Sequence, residues 1–147
     1  KAADQSHGNA QSNLGVFYAW GRGGLPKSDV EAAKLYRKAA DQGVAEAQSI
    51  LGVFYEEGRG GLSKSDAEAA KMYRKAADQG LARAQFILGV FYEVGRGGLP
   101  KSDVEAAKMY RRGCEDASQS SRPAQTCLGI FMRSYKRSRD SQSSRSR

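Results

Sequence analysis

Apolar residues recur along this chain at intervals of three and four, and the whole pattern returns after 37 positions, from Leu14 to Leu51 to Leu88. In the middle unit Ala47, Leu51, Phe54 and Tyr55 fall on one side of a helix read at 3.6 residues per turn, which predicts an amphipathic helix A. The pattern stops at Gly58-Arg59-Gly60-Gly61, where clustered glycines disfavour continuation and accept the left-handed backbone of a helix end. A second helix, B, is predicted after Ser65. Ser65 is placed to cap it while Glu68 reaches back, and Ser28 with Glu31 and Ser102 with Glu105 repeat the box. Helix B carries Ala69, Ala70, Tyr73, Ala76 and Ala77, small residues that let neighbouring helices approach around one tyrosine. Gly80 closes the unit.

The repetition sets the architecture. LGVFYAWGRGGLPKSDVEAAKLYRKAADQG from Leu14 aligns with LGVFYEEGRGGLSKSDAEAAKMYRKAADQG from Leu51 and LGVFYEVGRGGLPKSDVEAAKMYRR from Leu88. A helix pair cannot bury its apolar stripe alone, so units of this period must stack, and stability becomes a sum of nearest-neighbour interfaces. The expected organisation is the end of a preceding repeat at 1–7, repeats at 8–43, 44–80 and 81–117, a degenerate terminal half-repeat at 118–133, and a disordered basic tail at 134–147. Lys1, Lys38 and Lys75 keep the register, which implies a longer parent protein. His7 is expected in an inter-repeat turn, facing solvent.

Charge changes this picture only at one end. The net charge is +8, and residues 133–147 hold six basic side chains against one acidic. Without aromatic interleaving beyond Tyr135 the Ser/Arg tail reads first as a solvated segment, and second as a phosphate binder or phosphorylation target. No apolar run approaches the roughly 20 residues of a membrane-spanning helix. The single histidine excludes multi-histidine metal sites, and a solvent-facing His7 is badly placed to serve a triad, so no cofactor and no metal are expected. The GRGG loops follow a helix rather than a strand and lack the lysine-serine/threonine ending of a P-loop. Cys114 and Cys127 suit neither a disulfide scaffold nor paired zinc motifs; one bridge and two reduced thiols both remain open.

The ordered series A-x-x-x-L-G-x-x-Y, then G-x-G, then an acidic residue opening an alanine-bearing helix, then K-A-A-x-Q-G, resembles the Sel-one-like repeat (SLR), a relative of the tetratricopeptide repeat. It spans residues 1–117 and, weakly, 122–133. The resemblance implies an all-α fold, a right-handed superhelical α/α solenoid of stacked antiparallel helix pairs. It also implies a non-catalytic adaptor or scaffold that binds a protein or peptide. Some cysteine-rich members of that family are described as penicillin-binding or β-lactamase-like, yet the strings S-x-x-K, S-D-N and K-T-G are absent here. In those relatives a disulfide joins helix B of one repeat to helix A of the next. Cys114 occupies the matching helix B position, held elsewhere by Ala40 and Ala77, whereas Cys127 falls two residues late, about 200° around its helix.

Two sets of surface positions follow. On helix A, Asn13, Phe17 and Trp20, Ile50, Phe54 and Glu57, and Ile87, Phe91 and Val94 make a second stripe, which the family resemblance turns toward a concave partner-binding groove. Aromatic anchors dominate such interfaces. The competing reading, favoured for the phenylalanines, is packing between repeats. In the loops, Arg22, Lys27, Arg59, Lys64, Arg96 and Lys101 form a basic edge. It is expected to be neutralised by Glu31, Glu68 and Glu105 more than to recruit an acidic partner. Binding of nucleic acid or an anionic surface through the tail is the second functional reading, and β-lactam hydrolysis the last.

Overall fold

The computed structural model describes residues 2–118, with side chains from Ser6 to Ala117. Six helices follow one another: α1 (Ala2–Trp20), α2 (Asp29–Asp41), α3 (Ala45–Glu57), α4 (Asp66–Asp78), α5 (Ala82–Val94) and α6 (Asp103–Ser118). Each packs on its sequence neighbours. The described residues form a helical solenoid with helices A at α1, α3 and α5 and helices B at α2, α4 and α6.

Local chemistry explains the boundaries. Ser28, Ser65 and Ser102 accept the backbone N–H of Glu31, Glu68 and Glu105 at 3.2–3.3 Å. The glutamates do not reach back as predicted. The serine N–H groups already donate to the carbonyls of Tyr18, Tyr55 and Tyr92. The free carboxylates turn forward instead, to Lys34, Lys71 and Lys108, one helical turn on. Helices A end at Gly58 and Gly95, both in the left-handed region with φ of 64° and 74°. The predicted turn at His7 does not form: α1 runs unbroken through an exposed His7. The physical reason is Ser6, which stands where Gly43 and Gly80 take φ near +90° to break the chain.

Two clusters of buried side chains form a core that continues from repeat to repeat. One centres on Tyr36, Leu51 and Phe54, the other on Tyr73, Leu88, Phe91 and Tyr110. Tyr36 meets Phe54 edge-on at 5.5 Å, and Tyr73 meets Phe91 at 5.7 Å, so each helix B tyrosine is covered by the next helix A. Within a pair, the tyrosine lies flat on a glycine. A Cβ added at Gly52 or Gly89 would stand 2.7 Å from the ring of Tyr73 or Tyr110. The L-G-x-x-Y signature thus records a helix–helix approach that no larger residue permits.

Polar side chains repeat the same register. Gln42 donates to Gln11 at 3.0 Å and Gln79 to Gln48 at 2.8 Å, while Gln48 and Gln85 donate to the carbonyls of Ala40 and Ala77. The glutamine of K-A-A-x-Q-G is therefore a structural residue, tying the end of helix B to the paired helix A.

Candidate functional site

The stacking of α1, α3 and α5 leaves a cavity of about 560 Å³ on the face these helices share. Val16, Ala19 and Trp20 come to it from α1, Ser49, Ile50, Val53 and Phe54 from α3, and Arg83 and Ile87 from α5. Tyr36 of α2 lies behind it, and Lys27 and Arg59 enter from the loops. Val16 and Val53, like Ile50 and Ile87, are equivalent positions 37 residues apart, so the wall is the same helix face presented repeatedly. Ala19 and Ser49 are small enough to leave it open.

Of the predicted stripe, Trp20, Ile50, Phe54 and Ile87 line this cavity. Trp20 is 73% exposed, the barest large apolar side chain among the described residues. Asn13, Glu57 and Val94 are exposed but stand outside the lining. Phe54 and Phe91 are buried at 3% and 1% exposure and belong to the core between repeats, as the packing alternative expects. Phe17 holds the same register yet is 41% exposed, because no described helix precedes α1 to cover it. Val16 and Val53 were missed. They sit one residue before Phe17 and Phe54, about 100° around the helix. Helix A is apolar on three sides, toward its partner helix, the next repeat and the cavity, so spacing alone does not separate them.

The basic loop edge is an inter-repeat clasp. Arg59 forks onto Asp29 of the preceding repeat, with Nη2 and Nε at 3.0 and 3.2 Å from the two carboxylate oxygens. Arg96 does the same to Asp66, at 3.1 and 3.4 Å, and also reaches Glu56 at 3.2 Å. Each guanidinium stacks over the phenylalanine of its own repeat, 4.5 Å above Phe54 and 4.6 Å above Phe91. The bond to Asp29 holds Arg59 more firmly protonated than usual, against a smaller opposing effect of burial. The neutralising partners are therefore Asp29, Asp66 and Glu56 rather than Glu31, Glu68 and Glu105. The reason is geometric: the loop glycines Gly60 and Gly97 lie so close to the preceding helix B that an added Cβ would be 2.6 Å from the Asp29 or Asp66 carbonyl oxygen. Arg22 rests over Phe17 at 5.2 Å, with no ion pair to a carboxylate among the described residues. Lys27 lines the cavity, and Lys64 and Lys101 point to solvent.

Buried tyrosines join the same layer. The Tyr73 hydroxyl donates to Glu56, and that of Tyr110 to Glu93 at 2.8 Å. Burial, reinforced by these bonds, raises both phenols well above their ordinary value. Cys114 of α6 is disulfide-bonded; Cys127 and the Ser/Arg tail lie outside the described residues. No group of His, Cys, Asp and Glu among the described residues is arranged to hold a metal ion, and no described helix is long and apolar enough to cross a membrane.

The architecture is similar to that of known proteins. A Sel1 repeat protein from Oxalobacter formigenes superimposes with a TM-score of 0.71 at 42% identity over 76% of this chain and 45% of that one. A protective antigen present in uropathogenic Escherichia coli strains, displaying an SLR fold, gives 0.70 at 37% identity over 78% of this chain and 24% of its own. Helicobacter pylori cysteine rich protein B gives 0.58 at 26% identity, covering 68% of this chain and 69% of that protein. The chain thus spans less than half the length of the first two. No curated protein matches it. The Sel1 repeat model matches residues 8–44, 45–81 and 82–118 in unbroken succession. With three consecutive matches over the helix pairs just described, this chain belongs to the Sel1 repeat family.

Proposed function

We propose that this chain is a binding module that holds a peptide or helix of another protein on the face formed by α1, α3 and α5. Sel1 repeat proteins generally serve as non-enzymatic protein-interaction scaffolds. The observation that carries the finer reading is the cavity, where apolar walls from three repeats meet beside the exposed ring of Trp20. Aromatic residues with half-buried aliphatic neighbours supply most of the energy in such interfaces, because they exclude water without costing much side-chain entropy.

A pull-down from the native source tests this, run at low and high salt with the full chain, a form lacking residues 134–147, and Trp20→Ala/Ile50→Glu. Trp20 is exposed and Ile50 is a half-buried neighbour of the core, so helicity and Tm of the variant are measured beside the pull-down to establish that the helix pairs remain intact. Partners retained by the tail-less form at high salt and lost on double substitution are expected. Capture only at low salt, and only with residues 134–147 present, transfers the function to the basic segment and refutes the groove.

A further inference from the structure

The second and third repeats each hold a half-buried carboxylate that the first repeat lacks. Glu56 accepts from the Tyr73 hydroxyl and from Arg96, and Glu93 accepts from the Tyr110 hydroxyl. In the same register, 17 residues before its tyrosine, the first repeat has Ala19 facing Tyr36. Arg59 stands where Arg96 stands in the next interface. Tyr36 is 2% exposed, and among the described residues no group accepts its hydroxyl. The sealed polar atoms without a partner among those residues are Gln42 Oε1 and Gln85 Oε1, whereas the Tyr36 hydroxyl stands open to the cavity, where a ligand can reach it.

The missing side chain opens into the cavity rather than into sealed core, since Ala19, Tyr36 and Arg59 all line it. The other charged side chains on its wall are Lys27 and Arg83; no aspartate or glutamate lines it. Arg59 is shared with Asp29 and with Glu57 at the rim, and Arg83 with Glu46. Lys27 has no ion-pair partner among the described residues. Burial raises the Tyr36 phenol, with Arg59 pulling against it and Asp29 adding to it, and the phenol and the guanidinium line the same cavity.

We propose that this cavity takes a carboxylate carried on an apolar stretch of another protein, the acid occupying the place of the absent glutamate between Tyr36 and Arg59. The proposal rests on the reading of this face as a partner-binding surface. The neighbouring apolar residue of the ligand lies on Val16, Ile50 and Trp20. Positive charge at Lys27, Arg59 and Arg83 favours the anion, and the apolar walls strengthen each charge-assisted bond by excluding water.

The test is an amide chemical-shift titration of the full chain with two acids and their neutral counterparts. Acetyl-Phe-Glu-Leu-amide, against its Gln analogue, presents a side-chain carboxylate. Acetyl-Leu-Phe with a free C-terminus, against its amide, presents a terminal one. At least one acid is expected to bind about tenfold tighter than its counterpart, with shifts at Ala19, Tyr36 and Arg59; the one that does names the source. Ala19→Glu rebuilds the arrangement of Glu56. It is expected to raise Tm, reporting an intact fold, and to abolish the preference for the acid. Tyr36→Phe, which keeps the ring, is expected to reduce that preference. Equal binding of acid and neutral forms on this face overturns the carboxylate while leaving the groove in place. A preference that survives Ala19→Glu, or no binding of any probe, overturns the proposal, whereas the groove itself stands or falls on the pull-down.

Discussion

At the scale of single residues, the tyrosine of helix B does most to define the repeat. Tyr36, Tyr73 and Tyr110 are buried and lie on glycines of the paired helix. All three phenols are pushed above their ordinary value of 10.0, first by burial. The sign of the consequence is fixed by linkage: the folded chain retains these protons where the unfolded chain releases them, so stability is complete below pH 10 and falls above it. Each retained phenol contributes a slope of about 1.4 kcal/mol per pH unit in that range. Denaturant titrations at stepped alkaline pH, followed by phenolate absorbance, are expected to show these rings ionising together with unfolding. Ionisation of all seven tyrosines while helicity persists would contradict the assignment.

At the scale of elements, the repeats are near copies whose differences compensate one another. In the third repeat Phe86 replaces the buried Ser49, and opposite it Gly113 replaces Ala76. An added Cβ at Gly113 would stand 3.1 Å from the Phe86 ring. The glycine makes room for the edge of the larger ring between the paired helices. Gly113→Ala alone is expected to cost about 1 kcal/mol through overpacking, despite the better helix propensity of alanine. Combined with Phe86→Ser, it restores the pair found in the second repeat, and its separate penalty is expected to vanish. Denaturant unfolding of the double-mutant cycle measures this; additive effects would show that the two sites do not share one space.

At the scale of the whole molecule, the stack is held by nearest-neighbour contacts, so stability is distributed unevenly along it. Within the described residues α4 is packed between α3 and α5, whereas α1 packs chiefly on α2 and leaves Leu14 and Phe17 bare at 42% and 41% exposure. Their equivalents Leu51 and Phe54 are both 3% exposed. In the chain of residues 1–147, native-state hydrogen exchange is expected to be faster through α1 than through α4, because α1 there opens without disrupting a second interface. Uniform protection across both helices would mean a single cooperative unit instead. The arginine clasps add to each interface, but with side chains more than a third exposed they are screened and contribute only about 1 kcal/mol or less apiece.

Read without its structure, the chain already determines the period, the helix pairs, the serine caps and the glycine stops, because each depends on neighbours within a few residues. Its family resemblance, carried by L-G-x-x-Y and K-A-A-x-Q-G, is equally local in origin. What only the tertiary structure decided are relations between units. That Val53 joins Phe54 on the cavity wall depends on how α3 is rotated against α2 and α4, and a helix apolar on three sides does not encode that rotation in its spacing. The clasp of Arg59 on Asp29 joins residues 30 positions apart through a loop pressed on the previous helix, where sequence proximity points to Glu31 instead. Ala19 looks like any helix-forming alanine until stacking sets it opposite a buried Tyr36 and beside Arg59. Contacts within a repeat are set by backbone periodicity, while those between repeats depend on orientation in space, and the candidate site is built from the latter.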